Sequence, residues 1–514
     1  MRKSLAKIVI LLMCILLAIA AFPGCAPTLP SKTSPAVSFD LTSSGATASP
    51  GSTETAQPPK YIFLFIGDGM SFAQVHAAQV YLGSSAGEIS QWPLCFTQFP
   101  ATGSATTYDA ESFIPDSAAA GTAMACGVKT QSHVLGMEAD AKTPVTNITE
   151  LLKAAGKKVG IVTSVTLNHA TPAAFYAHVP SRTQYYDIAC QMAQSNVDYF
   201  GGGSLSEPKG NRNDETDAFS LLKDSGYAIA DTAEAIGALD GSSGKVYAVS
   251  PTLDSTGVLS FAIDAQEEDW TLSNFVQTGI RVLDNESGFF MMCEGGQIDW
   301  ACHSNDGATA VKEVLDFSDA VQVAVDFAEQ HPGETLIVVT GDHETGGMTI
   351  GNTAGGYSVR FNMLGAQRMS YRKFGAAFTE MKKGNPDLTL ADMLPFIRDH
   401  FGLVAPDAAA QADDKAFVLS DAEYAQIEDA FAESMKPKAQ RADTPEARLL
   451  YGGYDPLTVA LTHILDNKAG IGWTTFVHTG APVPVYAMGA GAELFVGSYD
   501  NTDIFRKLVQ VCGV

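Results

Sequence analysis

Cations are scarce in this 514-residue chain, which carries 32 Lys and Arg against 57 Asp and Glu for a formal net charge of −25. The first 25 residues hold Arg2, Lys3 and Lys7 and no acid, so setting them aside leaves −28. A chain this acidic does not track a nucleic-acid backbone, which requires a basic stripe. A small anion remains within reach wherever metals or arginines line a site. No Cys-x-x-Cys pair occurs, which argues against a zinc site built from cysteine. Beyond Cys14 and Cys25, the chain has Cys95, Cys126, Cys190, Cys293, Cys302 and Cys512, and their spacing does not choose a disulfide pairing. Internal repeats and a second domain boundary are missing as well.

Residues 1–25 read as an export signal, with a cationic start and an apolar stretch from Ile8 to Ala21 that is short for a membrane span. Phe22-Pro23-Gly24-Cys25 resembles a bacterial lipobox and predicts a lipid on Cys25 that ties the chain to a membrane; simple cleavage is the alternative. Either outcome is extracytoplasmic: a cell-envelope lipoprotein, or a periplasmic or secreted protein. Residues 26–58 are rich in Ser, Thr, Pro, Ala and Gly and bury too little apolar surface to offset their ordering entropy. They are expected to form a flexible tether, with residues 59–514 as the folded catalytic body.

The body opens on Tyr61 to Ile66, apolar on both faces as in a buried parallel strand, followed by Gly67-Asp68-Gly69. The same order of strand, polar cluster and helix recurs. A helix capped by Asn147 precedes a strand from Val159 to Val165, then Asn168-His169-Ala170-Thr171-Pro172 and a helical stretch reaching His178 and Arg182. A strand over 288–293 leads to Glu294 through His303, an amphipathic helix spans 310–330, and a strand over 335–340 ends at Gly341-Asp342-His343-Glu344. This pattern predicts an α/β fold with a doubly wound, mostly parallel central sheet flanked by helices. Residues 200–285 read mainly as loops, with one helix after Thr271. Residues 365–470 read as a mainly helical insertion over the sheet edge, with a capping box at Ser420–Glu423 and a helix from Asp455-Pro456 to Gly470. Thr474 to Gly480 then leads into a strand from Val483 to Met488.

Chemistry concentrates at the strand ends. Asp116-Ser117 followed by Ala and Gly opens a helix whose first turn leaves room for an anion at its positive end. Asp299 and His303, four apart, share one side of a helical turn and with His478 give the two-nitrogen, one-carboxylate set of an open zinc site. Asp342, His343 and Asp68 form a second open set, of one nitrogen and two carboxylates, with the Ser117 oxygen in its free position. Asp68, Thr171 and Glu294 are all-oxygen, the hard set that suits magnesium. Arg182 offers a planar fork for two phosphate oxygens. His76, His133, His331, His400 and His463 read as core or surface residues.

Taken in order, Gly67-Asp68-Gly69, Asp116-Ser117-Ala118, His169 through Arg182, Glu294 through His303, Gly341 through Glu344 and His478-Thr479-Gly480 resemble the alkaline phosphatase family across about residues 60 to 490. The resemblance implies hydrolysis of small-molecule phosphomonoesters through a covalent phosphoserine on Ser117, with two zinc ions and one magnesium ion. Transferred by position, Asp299, His303 and His478 hold the first zinc, and Asp342, His343 and Asp68 hold the second. Asp68 also bridges to the magnesium shared with Thr171 and Glu294, and Asp116 orients Arg182. Family members are often dimers, so a homodimer is a further expectation. A phosphodiesterase or sulfatase of the same superfamily is the enzymatic alternative. A non-catalytic phosphate- or metal-binding lipoprotein is another.

His169 and Trp300 depart from the enterobacterial branch, which has aspartate and lysine there, and resemble the animal and marine-bacterial branches. The histidine bears on which metal the third position takes. The tryptophan removes a cation beside the phosphate and so loosens product. A Trp300→Lys variant is expected to bind inorganic phosphate more tightly, by about tenfold for one added charge contact, as read from its product-inhibition constant.

Overall fold

β1 (Tyr61–Gly67) is buried along its whole length. Tyr61, Phe63 and Phe65 enter the hydrophobic core on one face of the sheet, and Ile62, Leu64 and Ile66 enter the core on the other. A strand with no polar face needs cover on both sides, which a helix layer on each face supplies. The computed structural model describes residues 57–514 apart from 354 and 413. The predicted leader, Cys25 and nearly all of the tether lie outside the described residues.

Nine more strands complete the sheet: β2 (Ala101–Thr106), β3 (Lys158–Thr163), β4 (Tyr199–Gly202), β5 (Tyr227–Ala230), β6 (Lys245–Val249), β7 (Phe289–Gly295), β8 (Thr335–Gly341), β9 (Val483–Gly489) and β10 (Gly497–Asp500). Their order is β10-β2-β9-β8-β1-β7-β3-β4-β6-β5. From β8 to β5 every pairing is parallel, while β9 runs antiparallel to both β8 and β2. The sheet is therefore mostly parallel and helix-flanked, as the alternating pattern predicts.

Register then sets the site. Gly67 pairs with Gly295 and with Gly341, so Asp68, Glu294 and Asp342 leave three adjacent strands at nearly one level. Thr163 at the end of β3 pairs with Glu294 itself. Parallel strands step about 3.3 Å per residue, so this alignment gathers four polar side chains on one rim.

Several local readings change. The helix expected to reach His178 and Arg182 is a single turn, Ala170–Ala173. Pro180 disfavours helix at Val179, whose backbone instead pairs with Leu135. Residues 200–285, expected as loops, contribute β5, β6 and two short helices besides Leu272–Leu283; four- and five-residue strands leave too little periodicity to read. The β3 strand ends at Thr163 rather than Val165.

The helices of the 365–470 region are present, including the Ser420–Glu423 capping box and the Pro456–Ala469 helix with Asp455 as its cap. They pack against the Phe72–Ser85 and Gly307–Gln330 helices, through the Phe361–Ala366 turn and the Pro456–Ala469 helix, instead of against an outer strand. All six cysteines of the body are free thiols. Among the described residues no helix is long and apolar enough to cross a membrane.

Gly69 turns the chain directly after Asp68 at φ +71°, and a Cβ there would meet the Asp299 Cα and the Thr345 hydroxyl, each at 2.9 Å. Gly69→Ala is expected to lower stability by about 1–3 kcal/mol through positive-φ strain and this clash, visible as a drop in Tm together with weaker metal retention.

Candidate active site and metal centre

Ser117 is the first residue of the Ser117–Cys126 helix and is buried, 2% exposed. Asp116 caps that helix: its Oδ1 accepts from the Ala119 amide at 3.0 Å and from the His133 amide at 3.0 Å. The other oxygen, Oδ2, accepts from Arg182 Nη1 at 3.0 Å. Burial works against the Asp116 charge, but Arg182 and the two amides outweigh it and hold the carboxyl below its usual range. Arg182 is steadied further by its own amide, which donates to the His133 carbonyl at 2.7 Å. A guanidinium tied on one side to a helix cap presents its remaining donors to an oxyanion at that helix's positive end.

The Ser117 hydroxyl lies 3.3 Å from His343 Nε2. The same nitrogen stands 3.4 Å from Asp68 Oδ1 and 3.2 Å from Asp342 Oδ2. Beside this group, His303 Nε2 is 3.1 Å from His478 Nε2 and 3.3 Å from Asp299 Oδ1. The chain thus brings Asp299, His303 and His478 together as one cluster of potential ligands and Asp68, Asp342 and His343 as another. A third cluster joins Asp68 and Glu294 with His169, and Thr171 donates to Asp68 Oδ2 at 3.3 Å. Thr171 and His169 therefore flank the same carboxylates. Trp300 and His169 face each other edge-on at 6.0 Å.

Carboxylates and imidazoles here share one design. Asp68, Glu294 and Asp342 each have one oxygen held by a protein donor: Thr171 for Asp68, Thr163 for Glu294, and the Gly69 and His343 amides for Asp342. The second oxygen of each is buried without a partner. His303 Nδ1 meets the Phe476 carbonyl at 2.7 Å, and His478 Nδ1 meets the Pro115 carbonyl at 2.8 Å. A carbonyl only accepts, so Nδ1 carries the proton and Nε2 faces the cluster with a free lone pair. Orphaned oxygens and inward lone pairs are what divalent cations require. The donor set fits metals.

Electrostatics point the same way. Burial raises Asp342 to about 8, with Asp299 and Glu294 adding to the shift, and raises Glu294 to about 7. Asp68 is pushed well up by burial and by the charges of Asp342, Asp299 and Glu294. Burial opposes the Asp299 charge too, but His303, His478 and His343 hold it low. His169 is driven down to about 3 by burial and by Arg182, whose Nη2 lies 3.1 Å from its Nε2. Since guanidinium only donates, His169 accepts there as a neutral ring.

Supporting residues that the motifs do not disclose complete the pocket of about 370 Å³. Thr345 Oγ1 donates to Asp299 Oδ1 at 2.5 Å. Glu344 is no part of a ligand cluster; it gathers Gln74, Thr479 and the Gly347 and Met348 amides, fixing the loop that carries His343. Tyr371 and Tyr454 close one wall. His133, expected as an ordinary core or surface residue, sits at positive φ with its backbone joining Asp116 to Arg182. Isolated tyrosines and threonines carry no sequence signature, so only the fold could find them.

A hydroxyl and an anion-binding fork set above buried metal-ligand clusters define a metal-dependent phosphoester hydrolase. Residues 59–514 match the family model described as alkaline phosphatase. Alkaline phosphatase 3 of Bacillus subtilis (strain 168) is 31% identical over 461 residues, covering 88% of each chain. The cold-active alkaline phosphatase of the psychrophile Shewanella sp. aligns at TM-score 0.72 and 29% identity over 88% of this chain and 99% of that one. A mutant of the alkaline phosphatase TAB5, solved with Mg bound in its M3 site, aligns at TM-score 0.59 and 25% identity over 89% and 99%. This chain belongs to the alkaline phosphatase family and is an enzyme of phosphomonoester hydrolysis.

The raised carboxyls fix a sign. Unfolded carboxylates titrate near pH 4, so between about pH 4 and pH 8 the cation-free folded chain holds protons the unfolded chain has lost, and its stability falls as pH rises. Chelated protein is therefore expected to lose Tm steadily from roughly pH 5 to pH 8.5, and saturating zinc and magnesium should remove most of that slope. Thermal melts across this range, with and without metal, read the difference.

Proposed function

We propose that the chain hydrolyses phosphate monoesters through a phosphoserine on Ser117, with two zinc ions and one magnesium ion as cofactors. Asp299, His303 and His478 would hold one zinc, and Asp342, His343 and Asp68 the other. Asp68, Thr171 and Glu294 would hold the magnesium, with His169 beside it. These cations would lower the pKa of the serine hydroxyl and neutralise charge on the transferring and leaving oxygens.

The rest is work for the chain's own groups. Arg182, oriented by Asp116, donates to two non-bridging oxygens of the substrate, and the Ser117 helix turns its positive end toward them. Ser117 Oγ, its proton lost to solvent, attacks phosphorus in line. The P–O bond to the alcohol breaks as the bond to Ser117 forms, and the alcohol leaves. Water then attacks the phosphoserine from the vacated side and releases inorganic phosphate and free Ser117. His169 accepts from Arg182 and steadies the fork, while Trp300 walls the pocket without adding charge.

The observation that carries this reading is the Ser117 hydroxyl 3.3 Å from the nitrogen around which Asp68 and Asp342 converge. A non-catalytic binding protein has no use for a nucleophile at that vertex. Residues 1–25 support export, with lipid attachment at Cys25 tethering the enzyme to a membrane outside the cytoplasm. A homodimer is proposed on family analogy.

Ser117→Ala is expected to cut turnover of p-nitrophenyl phosphate by roughly a thousandfold or more while phosphate and metal binding persist. Exhaustive chelation should abolish activity, and only zinc and magnesium together should restore it fully, as followed by metal analysis beside the rate. Full activity with Ser117→Ala would overturn the covalent route.

A further inference from the structure

Beyond the catalytic pocket lies a larger one of about 810 Å³, and it is basic although the chain is acidic. The Tyr371–Gly384 helix gives it Arg372, Lys382 and Lys383, and the segment after the Asp421–Met435 helix gives it Lys436, Lys438 and Arg441. Asp455 is the acid among the lining residues, and Arg441 pairs with it at 2.9 Å. Lys383 leans on the exposed Glu380 one helical turn away, and Lys436 on Glu433, which is mostly covered and also accepts from the Ala442 amide. An exposed pair such as Lys383–Glu380 is weak and yields readily to an incoming dianion. Lys438 has no ion-pair partner among the described residues. Arg372 is paired with Asp254 and Lys382 donates to the Ser434 carbonyl at 2.9 Å, which leaves Lys438, the weakly paired Lys383 and the half-exposed Lys436 as the cations open to an incoming anion.

This pocket adjoins the catalytic one. Tyr371 and Tyr454, edge to face at 6.0 Å, line both. Ser304 of the basic pocket follows His303 of the catalytic pocket, and the Arg372 guanidinium lies 4.7 Å over the Trp300 ring. Met435, Pro437 and Val459 add apolar surface to the basic side. A substrate with its phosphoryl group beside Ser117 and Arg182 can pass the tyrosine pair and lay its alcohol portion among the lysines.

We propose that this pocket is a leaving-group subsite that selects phosphomonoesters whose alcohol portion bears a further phosphate, a nucleoside bisphosphate being the size that fits. The inference rests on the phosphoserine reading for the reaction itself. Bond changes are those already described: the P–O bond to the alcohol breaks, and the second phosphate stays on the departing alcohol, held by Lys383, Lys436 and Lys438.

The test compares a nucleoside bisphosphate with the matching nucleoside monophosphate, using the metal-loaded full body and a Lys383→Gln/Lys438→Gln variant. Both lysines are exposed and lie outside the catalytic pocket. The unaltered enzyme is expected to show the lower KM for the bisphosphate. Loss of two exposed charge contacts should raise that KM by roughly three- to tenfold, leaving kcat and all monophosphate kinetics in place. The KM advantage should also shrink with added salt in the unaltered enzyme and hardly at all in the variant. Equal effects on both substrates, or no effect on either, would overturn the subsite. Loss of the phosphoserine route would appear separately, as Ser117→Ala turning over both substrates normally.

Discussion

Mutual repulsion among buried carboxylates governs this molecule. Asp68, Glu294, Asp299 and Asp342 are each nearly or fully inaccessible to water, yet they crowd one rim. Arg182 is the fixed cation in their midst, and it is already committed to Asp116. A cluster of like charges in a low-dielectric interior is stable only when cations join it or protons neutralise it. The rim arranges for the first: in Asp68, Glu294 and Asp342 one oxygen is pinned by a hydroxyl or an amide, and the other is left bare. Two of the imidazoles, His303 and His478, are held the same way, each Nδ1–H donating to a main-chain carbonyl.

The sheet is what makes such crowding possible. Three apolar strands, β8, β1 and β7, lie side by side in a register that brings their terminal glycines level, and both helix layers clamp them in place. Hydrophobic burial along these strands, at about 25 cal/mol per Å² of apolar surface, is the reservoir that supports the unfavourable rim. The rim in turn gives the reacting groups positions that no loop alone would hold. The insertion contributes little to that frame and instead supplies the tyrosine wall and a basic neighbour for the pocket.

Much of this was readable from residues alone, and for a definite reason. Asp68, Asp342 and the Glu294–His303 run sit directly after strands whose apolar character is unmistakable, so chain order alone puts them on one rim. Ser117 and Asp116 were legible because a helix cap is local. Arg182 was legible in role but not in setting: Pro180 and the pairing of Val179 with Leu135 place it on a loop, where a helix had been expected. Thr163, Thr345, Tyr371 and Tyr454 were silent because a hydroxyl or ring gains its meaning from what lies across the fold. The short strands β4, β5 and β6 were weak signals for a different reason, being too brief for alternation to stand out. His169 was placed near the third cluster, and its neutral ring under Arg182 explains how a histidine sits beside a cation.

The central strand also dictates an order of assembly. β1 lies near the start of the body, but its two neighbours are β7 and β8, and the last imidazole, His478, follows later still. As the chain is made from its amino end, β1 has nothing to pair against until β7 has followed at residue 295, and it gains its second neighbour only at residue 341. Long-range pairing of this kind is slow to nucleate, so the rim closes only once nearly the whole chain is available.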